Sequence, residues 1–114
     1  MSKTIFERII DREIPSDIVY EDEHIVAFLD VKPMAPTHVL IIPRKPIARL
    51  EDLAPEDHAV IGHIFMKAPA IAAQFGLNET GYRLVINNGR DAGQEVPHLH
   101  IHLLGGRKLA WPPG

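Results

Sequence analysis

The chain contains no cysteine. Disulfides, thiolate-bound metals and cysteine nucleophiles are therefore excluded. It has no apolar run approaching the ~18 residues of a membrane span. Its opening, Met-Ser-Lys-Thr-Ile-Phe-Glu-Arg, lacks the long apolar stretch of a secretory signal. The expectation is a cytoplasmic protein with no membrane partner. A basic field is missing too: the formal net charge is −3, which gives no sign of nucleic acid as a partner. That charge is uneven. Residues 1–57 carry 7 basic and 12 acidic groups, a balance of −5, while residues 58–114 carry 5 and 3, a balance of +2. The second half is thus the better host for an anionic ligand. At 114 residues, 46% apolar and 24% charged, the chain has the length and composition of one soluble globular domain.

What the chain does have is a run of alternating residues, Pro97-His98-Leu99-His100-Ile101-His102-Leu103-Leu104-Gly105-Gly106. Period-2 alternation predicts a strand with two unlike faces. Leu99, Ile101 and Leu103 face a core, while His98, His100, His102 and Leu104 line the other side. Side chains two apart on one face are about 6.6–7 Å from each other. Three imidazoles so placed form a cluster able to donate, accept, attack or bind metal near neutral pH. A single histidine in a strand is ordinarily a half-buried packing residue. Three on one face, followed by two glycines, favour chemistry.

The rest of the pattern supplies a frame. Residues 2–12 read as a short amphipathic helix, with Thr4 and Glu7 as a capping box and Ile5, Phe6, Ile9 and Ile10 facing inward. Residues 18–21 and 25–29 read as a hairpin, and Thr37–Pro43 as a strand apolar on both faces. Leu53–Phe75 reads as one long helix with Val60, Ile64, Met66, Ile71 and Phe75 on its apolar face and Gly76 ending it. Pro69 lies inside it and is expected to kink or split it. His58 and His63 are five apart, about 140° around the helix, so they form no i,i+4 ligand pair and read as surface or packing residues. Tyr82–Asn88 is a further strand. The loop 89–95 carries two glycines whose freed backbone could cradle a phosphate, or could be an ordinary hairpin loop. The order of helix, three strands, helix, two strands predicts an α+β domain. Its five-stranded, mainly antiparallel sheet is expected to pack on the helices at one face.

Three classes of function fit the histidine strand. One is metal-dependent hydrolysis, since His-x-His is a ligand spacing, although Leu-Leu-Gly-Gly follows where further ligands are wanted. Another is nucleophilic attack by imidazole on phosphorus, which needs one attacking histidine, others to orient it, and a phosphate cradle. The last is a nucleotide-binding module without turnover.

His98-Leu99-His100-Ile101-His102-Leu103-Leu104 resembles the His-φ-His-φ-His-φ-φ signature of the histidine triad superfamily. Glu13-Ile14-Pro15, Ala35-Pro36-Thr37-His38, Gly81-Tyr82-Arg83, Gly93-Gln94, Leu104-Gly105-Gly106-Arg107 and the terminal Trp-Pro-Pro-Gly are similar to its nucleotide-binding (Hint) branch. The resemblance implies a single domain over residues 1–114 and a purine nucleoside phosphoramidate hydrolase that needs neither metal nor cofactor. It implies AMP, GMP and their phosphoramidates as ligands. His100 would be the nucleophile, forming a nucleotidyl-imidazole intermediate. His102, Gln94, Asn87 and the amides of Gly93 to Glu95 would hold the α-phosphate. His38 would hydrogen-bond to His100 and shuttle its proton, and His98 would orient the triad. Asp30 would bind the ribose hydroxyls, with Ile5, Phe6, Ile9, Phe28, Val31 and Leu40 walling the base pocket. The resemblance further implies a homodimer with one continuous sheet, in which the tail 107–114 carries Trp111 to the neighbouring protomer's active site. Two positions depart from the pattern. Glu95 stands where a serine or threonine is common and is expected to turn away from the phosphate. Pro69 interrupts the helix expected at the dimer interface.

Overall fold

The strand that ends in the histidine run lies beside the strand that carries His38. In a computed structural model, which describes residues 3–114, β3 (Thr37–Pro43) pairs antiparallel with β5 (Ile101–Gly105), with His38 opposite Leu104 and Leu40 opposite His102. Directly opposed residues share a face in such a pair. His38, His100 and His102 therefore lie on one side of the sheet. The remaining strands are β1 (Ile18–Glu21), β2 (Ile25–Leu29) and β4 (Tyr82–Val85), and the order across the sheet is β1-β2-β3-β5-β4, all antiparallel. β5 is shorter than the alternating run: residues 98–100 lie just before it and are all buried, so burial alternates only from Ile101 onward.

The helices cover opposite faces of the sheet, which corrects the expectation of one helical layer. α2 (His58–Ala73) closes one face, where Ile64, Ala68, Ile71 and Ala72 pack with Val39, Ile41, Ile101 and Leu103. α1 (Ile5–Ile10) lies on the other, where Phe6 and Ile9 pack with Val26, Phe28, Leu40 and Ile42. The Thr4–Glu7 capping box is formed in both directions. The expected start of α1 at residue 2 lies outside the described residues. Within α1, Ile5 is 52% exposed, because a helix this short turns only Phe6 and Ile9 fully onto the sheet.

α2 also differs from expectation. A turn of 3₁₀ helix over Pro55–Asp57 precedes it, and Asp57 accepts from the Ala54 N–H (2.8 Å), so the α-helix proper begins at His58. It runs unsplit through Pro69. That residue is on the exposed side, where the carbonyl of Phe65 that loses its donor can meet water. Met66 is 78% exposed rather than core, since it lies 200° around the helix from the buried Ile64. His63 holds the β1–β2 turn through Asp22 Oδ2 (2.6 Å), a packing role, and His58 is exposed. Among the described residues, no helix is long and apolar enough to cross a membrane.

Candidate active site

A cleft of ≈ 510 Å³ opens on the α1 side of the sheet, between α1, the β2–β3 loop and the 93–96 segment. His38, His100 and His102 stand in it with Asp30, Asn87, Gly93 and Glu95, and Ile5, Phe6, Val31 and Leu40 supply apolar wall.

Main-chain groups decide which nitrogen of each imidazole carries its proton. His98 is fully buried, and its Nε2–H donates to Pro43 O (2.8 Å) while Nδ1 has no partner among the described residues. A second proton on that ring would have nowhere to go, and burial pushes its pKa down. The carbonyl of the same residue accepts from His100 Nδ1–H (2.7 Å). His100 therefore keeps its lone pair on Nε2, within the cleft. Its ring is held edge-on between Phe6 and His102, each 5.0 Å away between centroids.

His38 is fixed from the other direction. Its Nδ1 accepts the Met34 N–H (3.0 Å), so a neutral ring must carry its proton on Nε2, 2.9 Å from His102 Nδ1. His102 accepts there and so has its own proton on Nε2, aimed past the Asn87 carboxamide at 3.5 Å. The Asn87 atom at that distance is Nδ2, which cannot accept, so this tautomer requires the carboxamide rotated by 180° to bring its oxygen to the ring. Burial, then the charges of His100 and His38, lower the His102 pKa to about 4. Burial also lowers that of His38, against the attraction of Asp30, whose carboxylate lies 3.5 Å from His38 Nε2. In this arrangement of protons the cleft presents one lone pair, on His100, and one N–H donor, on His102. A nucleophile and an electrophilic contact stand side by side.

Asp30, His38 and His102 place one donor atom each within 4.8 Å of one another, the spacing of a metal site. The proton arrangement opposes that use. His38 Nε2 would have to give up its proton while Nδ1 faces the Met34 N–H. The two nitrogens at 2.9 Å would also have to separate to about 3.3 Å to share a tetrahedral ion. The residues fit hydrogen bonding better than coordination.

Several expected positions need correction. His38 bonds to His102 rather than His100, because the register sets it diagonal to His102 and two residues further from His100. Gln94 does not offer its amide to the cleft. Its Oε1 accepts from the Gly89 N–H (2.8 Å) and its Nε2 donates to Ala48 O (2.7 Å) and Val96 O (3.1 Å), so the side chain ties the loop together from behind. Ile9 and Phe28 are buried in the core beneath Phe6 and do not wall the cleft. Glu95 is exposed on the lip, shared between the cleft and a neighbouring groove lined by Arg49 and Arg90. Trp111 is 80% exposed, outside this chain's own cleft, on a tail held by Arg83 Nη1–H to Ala110 O (3.0 Å). Lys32, Met34 and Val96 also line the cleft, and no motif in the sequence marks them. For Met34 the contributing group is a backbone N–H, which no side-chain pattern signals.

Comparison with known proteins gives a consistent result. The HIT domain model matches residues 11–109. The chain is 57% identical over 111 residues to an uncharacterised HIT-like protein of Synechocystis, covering 97% of this chain and 96% of that one. It is 61% identical, with the same coverage, to another uncharacterised HIT-like protein from Synechococcus elongatus. Its fold superposes on a crystal structure of a HIT family hydrolase from Legionella pneumophila with a TM-score of 0.95. The sequences are 48% identical, and the match covers 98% of this chain and 100% of that one.

The lowered imidazole pKa values link the site to stability. Unfolded histidines titrate near 6.5, so as pH falls from about 6.5 to about 4 the unfolded chain binds protons that the folded His102 refuses. Stability is fully present above that window and declines through it. Urea unfolding at pH 7 and pH 4.5 should show a smaller drop in midpoint for His102→Gln than for the wild type. An equal or larger drop in the variant would mean that His102 is not held neutral.

Proposed function

We propose that this chain, which belongs to the HIT domain family, hydrolyses the P–N bond of purine nucleoside phosphoramidates through a covalent intermediate on His100. Its fold is that of HIT family hydrolases. The observation that carries the finer reading is the pair of fixed tautomers: His100 Nδ1–H on a carbonyl, leaving Nε2 free, beside His102 Nε2–H.

In the proposed reaction His100 Nε2 attacks phosphorus and the P–N bond to the amine breaks. The departing nitrogen takes a proton from solvent. The positive charge left on the His100 ring is stabilised through its Nδ1–H by the His98 carbonyl, and a developing charge on a phosphate oxygen by His102 Nε2–H. Water then attacks phosphorus, the P–Nε2 bond breaks, and a proton returns to solvent. The sum is amine plus nucleoside monophosphate, with His100 restored. No step needs a metal or a cofactor. The backbone around Gly93 (φ +87°) can approach the phosphate closely. Asp30 Oδ1 is aligned by the Lys32 N–H (2.8 Å), which suits the carboxylate for ribose hydroxyls. Ile5, Phe6, Val31 and Leu40 would enclose the purine.

The reading includes a homodimer. The outward face of α2 carries Phe65 (45% exposed) and Met66 (78%), and a second copy packed there would cover them and bring Trp111 to the neighbouring cleft. Sedimentation should find a dimer that Met66→Glu converts to monomer. A monomeric wild type would remove this part of the proposal.

The test of the chemistry is adenosine 5′-phosphoramidate turnover with excess EDTA. The wild type should release AMP undiminished by the chelator. His100→Ala should lose turnover at least a hundredfold while binding AMP within tenfold of wild type, that is within about 1.4 kcal/mol. Turnover abolished by EDTA would favour a metal at Asp30, His38 and His102. Absent turnover in a folded, AMP-binding wild type would favour a binding module.

A further inference from the structure

The hydrogen-bond chain behind His102 extends beyond Met34. Arg107 Nη2–H donates to Met34 O (3.0 Å), and its Nη1–H to Lys108 O (3.1 Å), so the guanidinium is oriented by its own backbone while it grips the β2–β3 loop. The turn that delivers it is tightly constrained. Gly106 has φ +93°, and a Cβ there would lie 2.8 Å from Pro36 Cβ. Only glycine lets the end of β5 press so closely on the loop. The Met34 side chain anchors nothing itself, being 71% exposed. Its main chain is held at both ends, by Arg107 on the carbonyl and by His38 Nδ1 on the N–H.

We propose that Arg107 is a positioning residue that sets the proton on the cleft side of His102. Holding the Met34 N–H against His38 Nδ1 excludes the His38 tautomer protonated at Nδ1, since two N–H groups would then face each other. The His38 proton stays on Nε2, His102 must accept it at Nδ1, and the His102 proton points into the cleft. If the loop is released, His38 can carry its proton on Nδ1 and accept from His102. A lone pair on His102 Nε2 then faces the ligand and repels an anion. Arg107 does not line the cleft, so it acts only through this chain. The tautomer claim stands on the geometry alone. Its kinetic consequence rests on the reaction proposed above.

The test is ¹⁵N NMR of the imidazole nitrogens at pH 7 in the wild type, Arg107→Ala and Arg107→Lys, with phosphoramidate turnover measured alongside. The wild type should show His38 and His102 each protonated at Nε2 alone. Arg107→Ala should show both nitrogens of His38 and of His102 at averaged, mixed-tautomer shifts. Its kcat should fall roughly tenfold to a hundredfold, with a smaller change in KM. Arg107→Lys, which retains one donor, should recover part of both. Ring shifts in Arg107→Ala identical to wild type would overturn the proposal. Mixed tautomers with undiminished turnover would uphold the positioning role and count instead against His102 as the phosphate contact.

Discussion

Backbone groups hold the imidazoles of the site, His102 through the ring of His38, and the chemistry depends on that constraint. Pro43 O fixes His98, the His98 carbonyl fixes His100, and the Met34 N–H fixes His38 and through it His102. A cluster of histidines free to choose among tautomers would present a mixture of donors and acceptors to a ligand. Here each ring has one proton in one place. At His38, His98 and His102 burial reinforces the choice by making a second proton costly.

The fold serves that arrangement in a direct way. β3 and β5 pair in a register that places Leu40 opposite His102 and lets His38 reach it diagonally. α2 buries the far side of the same two strands, so the residues alternating with the histidines are core. α1 then closes the near side with Phe6, whose ring packs edge to face with those of His98 and His100. The first two histidines of the run are thus packed as tightly as core residues, while His102 opens into the cleft. One sheet face is filled at one end and hollow at the other.

Much of this was legible in the sequence, and the failures have identifiable causes. The alternation at 98–104 announced both faces of the strand, and the Thr4–Glu7 spacing announced the helix cap. The resemblance puts His38 beside the triad but pairs it with His100 rather than His102, because partner choice depends on a register that one strand alone does not encode. Gln94 looked like a phosphate ligand because its type and neighbourhood fit one. Its amide is instead consumed by three backbone groups that converge only when residues 48, 89 and 96 meet. Hydrophobicity alone puts Met66 in the core, although two steps from Ile64 carries it to the opposite side of the helix. The backbone contribution of Met34 could not be seen at all, since an N–H is common to nearly every residue.

The central claim is that His100 becomes covalently joined to the nucleotide. The measurement that tests it most directly is peptide mapping of enzyme mixed with excess adenosine 5′-phosphoramidate. The mixture is quenched within milliseconds in alkaline denaturant, because a P–N bond to imidazole is labile in acid. The account predicts one nucleotidyl group per active chain, located on His100 and formed at least as fast as turnover. Turnover with no adduct on any histidine would contradict it, and so would an adduct on His102 that persists when His100 is replaced.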